Sequence, residues 1–456
     1  MSLRTRRIIY LSFIGVFVVA GPLLVLYARG YRYSADRSTL ALTGTLVVST
    51  IPKGANIELN GVPVKYTTPT TLTAIPPNPY HIKLTKSGYK PWTKNITLPT
   101  GGALFISNIQ LWRDALPISL ADGDYQQFAP NPDGTGGVLT SWRGNQESFW
   151  YFSNETDTLT KVAERPIAAK PTDQLTWSPR SNRVLVRTGA GLSLLDLTTS
   201  EPVLSDLPTP FPTTGLWHWS QNNPTLIYGT DGRSIVSFNA ARGSSSIPTS
   251  LVAAKPGETI TDFWTTGNSL YVLLQRTQRV STLTTYPLTG AQTLSSFDLP
   301  TALSYRYLEA RSNLVALVDS DQQMTLWSLT GTTSALKLLA VPDVATTTFL
   351  PASNELLYTT LAELWTFNPT TSTKTLVTRL GTQVDAPAWY PTGSHLLFTT
   401  EHKLWVIERD ERDVHNRWEL ANFTDLTGYT INPAGTKLYF AGTIGSRPGF
   451  WRLDLQ

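Results

Sequence analysis

The sequence contains no cysteine, and its 456 residues include only two methionines and five histidines. The absence of cysteine excludes disulfide bonds and thiolate metal sites. An exported protein without disulfides is ordinary in bacteria. The composition is therefore compatible with a bacterial protein that works outside the cytoplasm.

Charged residues are also scarce, at 15% of the chain with a net charge of +4. Six arginines and one aspartate lie among residues 1–37, so the remainder is close to neutral. Nucleic-acid binding needs a clustered basic face, which this distribution does not supply. We expect no nucleic-acid partner. The low charge, with abundant Thr, Ser, Gly and Pro, favours an all-β extracytoplasmic protein.

Sequence motifs for catalysis are missing. There is no Gly-x-Ser-x-Gly, no phosphate-binding loop and no dinucleotide fingerprint. Asp122-Gly123-Asp124 has too few carboxylates for a usual calcium site, so we interpret it as a turn. The histidines lack metal-ligand spacing, which favours structural or surface roles for all five: His81, His218, His395, His402 and His415. We expect no enzyme activity, no catalytic residue, no cofactor and no metal.

An uncharged run of 20 residues, Ile8 to Tyr27, follows three arginines near the N-terminus. This length crosses a hydrocarbon core of roughly 30 Å as a helix. We predict a cytoplasmic tail at 1–7, a transmembrane helix at 8–27 and a linker at 28–43, with the bulk of the chain extracytoplasmic. A cleaved signal peptide or a buried helix are the alternatives.

A small β domain is predicted from Gly44 to Leu111, because short alternating or β-branched runs are separated by turn residues. Asn60-Gly61 indicates a two-residue hairpin. The turn residues resemble a PEGA domain at Pro52-Lys53-Gly54-Ala55, Asn60-Gly61, Thr68-Pro69, Pro77-Asn78-Pro79-Tyr80 and Ser87-Gly88-Tyr89 with Trp92. The resemblance implies a structural or binding module without catalytic residues. Tyr89 and Trp92 are interpreted as core residues.

A repeat with steps of 40 to 47 residues fills the rest of the chain, 115–456. Its equivalent positions are Pro132, Pro179, Gln221, Thr265, Glu309, Pro351, Pro391 and Pro433. Several short strands per unit at this period predict the blades of a β-propeller. Two columns of large aromatics recur, and we interpret them as packing between blades; a sugar-stacking platform is the alternative. The first column includes Trp177, Trp219 and Trp389, and the second includes Trp150, Trp327, Trp365, Trp405 and Trp451. Trp177-Ser178-Pro179, Tyr390-Pro391-Thr392-Gly393 and Asn432-Pro433-Ala434-Gly435 resemble WD40-like and TolB-like repeats of exported bacterial proteins.

The last repeat ends at Leu455 after three strands, and a spare strand at Ala115 to Leu120 precedes the first repeat. Pairing of these two ends would remove two exposed edges and close the propeller. This predicts eight blades, with seven as the alternative if one weak unit is degenerate.

The most unusual local composition is an acidic and basic run that lengthens a loop of the seventh unit. Because function on propellers lies in loops on a rigid scaffold, it is a candidate partner-docking loop; a self-paired, solvated loop is the alternative. The run comprises Glu408, Arg409, Asp410, Glu411, Arg412 and Asp413. We expect a membrane-anchored binding or scaffold protein with an envelope protein or glycan partner. A glycan-acting enzyme with its site at the propeller mouth, or a purely structural envelope component, are the alternatives.

Overall fold

The computed structural model describes residues 3–28, 30–34, 39–167, 174–187, 191–208, 215–276, 280–289, 292–300, 304–330, 334–350 and 352–456. One of the predicted repeat positions, Pro351, lies outside these residues. The chain forms two compact units. The first contains residues 1–115, Asp410–Trp418 and Leu455–Gln456, and the second contains Leu116–Arg409 and Glu419–Asp454. The second unit is therefore interrupted in sequence, whereas the propeller was predicted to run without a break from 115 to 456.

Helix α1 (Leu3–Ala28) opens the first unit and includes Pro22. Its apolar side chains project into solvent, and Phe17 is 77% exposed. The stretch Arg4–Tyr27 is long and apolar enough to cross a membrane, and none of it is buried in the protein. Length and composition therefore allow either a membrane anchor or a signal sequence.

The predicted linker contains regular structure. Strands β1 (Tyr31–Ser34) and β2 (Thr39–Leu42) pair as an antiparallel hairpin in which Tyr31 is opposite Leu42. Residues 29 and 35–38 of the predicted linker lie outside the described part of the chain.

Seven further strands of the first unit form two sheets with the orders β6-β3-β9 and β5-β4-β7-β8. Alternate side chains of β3 are buried from Gly44 onward, as its period-two pattern requires. Positive φ angles at Asn60 (51°) and Gly61 (79°) make the tight turn between β4 and β5. Trp92 is buried, as predicted for a core residue, whereas Tyr89 is only half-buried. The strands are β3 (Gly44–Ile51), β4 (Asn56–Leu59), β5 (Val62–Thr67), β6 (Thr70–Ile75), β7 (Pro79–Thr85), β8 (Trp92–Thr97) and β9 (Ala103–Gln110).

The described residues of the second unit form eight antiparallel four-stranded sheets, and in seven of them the strands follow one another in sequence. The first four of these sheets contain β11 (Tyr125–Pro130), β12 (Gly136–Arg143), β13 (Gln146–Ser153), β14 (Thr158–Pro166); β15 (Gln174–Trp177), β16 (Arg183–Arg187), β17 (Leu192–Asp196), β18 (Val203–Asp206); β19 (Leu216–Trp219), β20 (Leu226–Thr230), β21 (Ser234–Asn239), β22 (Thr249–Ala253); and β23 (Glu258–Thr266), β24 (Ser269–Arg276), β25 (Ser281–Pro287), β26 (Ser295–Asp298). A short 3-10 helix, Ala240–Ser245, follows β21.

The next three sheets continue the same order. They contain β27 (Tyr305–Arg311), β28 (Leu314–Asp319), β29 (Met324–Thr330), β30 (Ser334–Val341); β31 (Thr346–Phe349), β32 (Leu356–Thr359), β33 (Glu363–Asn368), β34 (Thr373–Arg379); and β35 (Asp385–Trp389), β36 (His395–Thr400), β37 (Lys403–Glu408), β38 (Arg417–Asn422).

The eighth sheet combines strands from both ends of the propeller sequence. Strand β10 (Ile118–Asp122) pairs with β41 (Arg447–Asp454), which continues to β40 (Lys437–Ile444) and β39 (Asp425–Ile431). Ser119 lies opposite Trp451 in this pairing. The partner strand is the one expected from the sequence, although it begins three residues later than predicted.

Aromatic residues of the first column hold neighbouring sheets together. The indole nitrogens of Trp177, Trp219 and Trp389 donate to backbone oxygens in the first strand of the preceding sheet. Their acceptors are Ala129, Thr176 and Thr348, at distances of 2.8, 2.9 and 3.1 Å. Each of these tryptophans is buried, as the packing interpretation requires.

The second aromatic column is less uniform than predicted. Trp327 and Trp451 are buried, whereas Trp150, Trp365 and Trp405 remain partly exposed. The indole nitrogen of Trp405 donates to the Thr400 hydroxyl at 3.0 Å. Burial therefore varies along this column, whereas the three first-column tryptophans are all buried.

Candidate interaction surfaces

The structure divides the candidate docking loop into two parts. Glu408 ends β37 and is buried. Arg409 donates to the backbone oxygen of Gly393 at 3.0 Å and forms an ion pair with Glu355, both within the second unit. From Asp410 to Trp418, however, the chain belongs to the first unit. We call Asp410–Trp418 the strap.

An internal ion pair shapes the start of the strap. The Arg412 guanidinium donates to both carboxylate oxygens of Asp410, and its shortest contact is 2.6 Å. Burial alone would raise the pKa of Asp410, but the hydrogen bonds from Arg412 outweigh it and hold the pKa below its ordinary value. Arg412 also donates to the backbone oxygen of Phe105 in β9 at 2.8 Å. The pair therefore fixes the strap against an edge strand of the first unit.

A buried lysine binds the middle of the strap. Lys94 lies between Trp92 and Ile96 in β8, and the residue is 1% exposed. Its ammonium donates to the backbone oxygens of Asp410 at 3.0 Å and Val414 at 2.7 Å. These carbonyl acceptors compensate the cost of removing the charge from water.

The strap also satisfies backbone groups along β8, which is an edge strand of its sheet. The backbone and side-chain nitrogens of Asn95 donate to Asp413 Oδ2 at 2.9 and 2.8 Å. Asn416 donates to the oxygen of Thr93 at 2.8 Å, and Trp418 donates to the oxygen of Pro91 at 3.0 Å. Exposed edges invite pairing with other chains, and the strap covers this one.

Few strap side chains are left for another molecule. Glu411 is exposed, and Val414 is 73% exposed. Asp410, Arg412 and Asp413 are engaged within the chain, so their role in docking a separate partner stays a prediction. The residue that binds the strap could have been noticed in the sequence. Lys94 is a charged residue at an inward position of β8, between two apolar residues.

The histidines are dispersed. His218 Nε2 lies 3.0 Å from Asp262 Oδ1, and Asp262 Oδ2 accepts the backbone N–H of Tyr307 at 2.8 Å, which links three successive sheets. The remaining imidazoles belong to His81, His395, His402 and His415. Across the described ranges, no group of three or more His, Cys, Asp or Glu residues could hold a metal ion.

A cavity of about 470 Å³ opens between the seventh and eighth sheets. Three exposed carboxylates line it, those of Asp385, Glu401 and Asp425, and none of the described residues that line it is a Lys, Arg or His. Tyr429 closes one side and donates its hydroxyl to the backbone oxygen of Ala386 at 2.5 Å. The cavity therefore presents acceptors, which suit the cationic groups or hydroxyls of a partner.

Comparisons with known proteins support both parts of the predicted architecture. Residues 43–108 match the model of the PEGA domain. The chain is similar to the solved structure of the Dos1 propeller, with a TM-score of 0.51, 8% identity and coverage of 75% of this chain and 94% of that one. It is also similar to the Cps50 (Swd1) β-propeller domain of Myceliophteria thermophila, with a TM-score of 0.40, 13% identity and coverage of 75% and 99%. No curated protein matches the chain by sequence. At 8% identity the likeness to the Dos1 propeller shows the propeller fold alone.

Proposed function

We propose that this chain is a membrane-anchored extracytoplasmic binding protein of the bacterial cell envelope, in which the β-propeller serves as an interaction platform. The observation that carries the proposal is the apolar stretch Arg4–Tyr27, none of it buried, on the N-terminal side of a PEGA domain and a propeller. An exposed apolar helix of this length is stable in lipid but not in water. Three arginines before the span favour a cytoplasmic N-terminus.

The propeller offers the binding surface. Its cavity between the seventh and eighth sheets is lined by carboxylates and by backbone groups of β35 and β39. Propellers present such surfaces on a rigid scaffold, and the substituents on their loops determine the partner. We propose a protein or glycan partner that brings donors to these carboxylates, and we propose a role without catalysis.

Membrane extraction of the full chain tests the anchor. The parent should remain with the membrane in alkaline carbonate, whereas Val18→Arg should be released, because a charge at the helix centre costs about 2.5–3.5 kcal/mol on insertion scales. Val62→Arg, at an exposed position of the PEGA domain, is the matched control and should stay bound. Release of the parent, or a mature N-terminus after Ala28, would contradict the anchor.

Site-specific photo-crosslinking tests the platform. A crosslinker at Glu401 should capture an envelope protein or glycan, whereas one at the exposed outer-strand position Val203 should not. Asp385→Asn with Asp425→Asn should abolish the capture. Turnover of a cell-surface glycan by the parent but not by this double variant would instead support the enzyme alternative.

A further inference from the structure

The chain between the helix and the PEGA domain folds back on itself. The backbone N–H of Gly30 donates to the oxygen of Tyr27 at 3.1 Å. The backbone N–H and the hydroxyl of Thr43 both donate to the oxygen of Gly30, each at 3.0 Å. Between these bonds, β1 and β2 pair in register from Tyr31 opposite Leu42 to Ser34 opposite Thr39. The residue that precedes β3 is thus bonded to a residue just past the helix.

Pairing of β1 with β2 shortens the distance that residues 28–43 can span. Residues 28–43, if extended, would span roughly 50 Å. Pairing of the two strands brings their ends to about 5 Å from each other, which is the spacing of neighbouring strands. The segment therefore cannot hold the PEGA domain away from the helix as a flexible spacer would.

One end of the PEGA domain contacts the hairpin. The N–H of Thr45 donates to the oxygen of Gly102 at 2.9 Å. A Cβ atom added to Gly101 would stand 3.3 Å from Leu42 Cδ2, so the two residues are in contact. Pro99 and Thr100, in the same turn between β8 and β9, are exposed. The turn and the base of the hairpin are therefore neighbours of the helix end.

The dimensions of a bilayer locate this turn. A helix of 24 residues extends about 36 Å, whereas the hydrocarbon core is about 30 Å thick and each headgroup layer adds about 5–7 Å. The helix end and the residues bonded to it then fall at headgroup depth. We infer that the PEGA domain is seated on the lipid surface, with the strand ends Tyr31 and Leu42 and the turn Pro99–Gly102 in contact with headgroups. The inference rests on the proposed membrane anchor.

The absence of cysteine allows a direct test with single spin labels. Labels are placed at Val18→Cys, Thr100→Cys and Ser87→Cys in the full chain, which is reconstituted into phosphatidylcholine and phosphatidylglycerol vesicles. Ser87 is the matched control because it is also an exposed turn residue. Ser87 lies at the opposite end of the domain from Thr100. The residue before it, Lys86, donates its ammonium to the backbone oxygen of Lys53, which follows β3, and the length of β3 separates the two ends by about 25 Å. Collisions with oxygen and with a water-soluble nickel chelate report the depth of each label.

The Val18 label should be deep, the Thr100 label should be at headgroup depth, and the Ser87 label should be several-fold more accessible to nickel than the Thr100 label. Insertion of ten Gly and Ser residues after Thr43 should make Thr100 as accessible as Ser87. Equal nickel accessibility at Thr100 and Ser87 in the chain without the insertion, with Val18 deep, would show that the PEGA domain is not seated on the lipid surface. That result would not contradict the membrane anchor. An aqueous environment at Val18 would overturn both.

Discussion

Lys94 and Val414 are 320 residues apart in sequence, and the Lys94 ammonium donates a 2.7 Å hydrogen bond to the Val414 carbonyl. With the second acceptor, Asp410, this bond places a charge inside the first unit and attaches the strap to the edge of β8. The loop proposed as a docking element from its composition thus has a receptor within its own chain.

Lys94→Met should loosen the strap, because it leaves two backbone carbonyls without their donor. Each buried acceptor left unpaired costs about 1–3 kcal/mol. Trypsin should then cleave faster after Arg412 or Arg417 in the folded protein. Lys65→Met, at an exposed position of the same domain, should leave the cleavage rate unchanged. Equal rates for the two variants would show that Lys94 does not hold the strap.

Trp389→Ala should lower the free energy of unfolding of the propeller by about 3–5 kcal/mol. The residue is 7% exposed, and the substitution also leaves the Thr348 carbonyl without its indole donor. Trp405→Ala should cost less, because that ring is partly exposed. Thermal melting of the two variants measures the difference. A Trp389→Ala protein that melts with the parent but no longer binds a glycan would favour the sugar-stacking alternative.

Removal of β10 should expose an edge of the eighth sheet. A chain that begins at Asp122 lacks nearly all of this strand, whereas a chain that begins at Arg113 retains it, and both lack the PEGA domain. The shorter chain should aggregate or melt at a lower temperature, because β41 then loses its partner. Equal solubility and equal melting temperatures would contradict closure of the propeller by β10.

Glu309 should make the stability of the propeller depend on pH near neutrality. Burial raises its pKa to about 7, although the Phe349 N–H and Arg311 favour the charged form. A carboxyl with a folded-state pKa above its unfolded value of about 4.3 binds a proton more tightly in the native state. The contribution of Glu309 to the free energy of unfolding is therefore largest below pH 4, decreases as the pH rises to about 7 and is constant above that pH.

Glu309→Gln cannot ionise and keeps the oxygen that accepts the Phe349 N–H. Its melting temperature relative to the parent should rise between pH 5 and pH 8. Glu411→Gln, at an exposed position, should show no such trend. A constant difference between Glu309→Gln and the parent would mean that the carboxyl titrates at its ordinary pH.

The sequence predicted best those features that repeat or alternate. The period of the propeller and the inward positions of β3 depend on local spacing, so Trp177, Trp219 and Trp389 could be assigned to the packing between sheets. The hairpin before the PEGA domain was missed because its strands have only four residues each. A polar composition without a turn signature gave no indication that Thr43 bonds back to Gly30.

The sequence identified the strap as unusual in composition, but it could not predict which residues the strap contacts. Its charges are visible in the sequence, but their partners lie in β8 and β9, and nothing local relates Asp413 to Asn95. The inward position of Lys94 follows from the alternation along β8, but its acceptors in the strap do not. For the same reason, composition alone could not separate a loop that binds another molecule from one that binds its own chain.

The strap also has a consequence for biosynthesis. Strand β8 emerges from the ribosome about 320 residues before the strap that covers it. At roughly 5–20 residues per second, its edge waits about 15–60 s for Asp410–Trp418. The PEGA domain therefore passes through its early folding with this edge open. A folding helper that shields unpaired strands would be needed for the nascent chain during that interval and not afterwards.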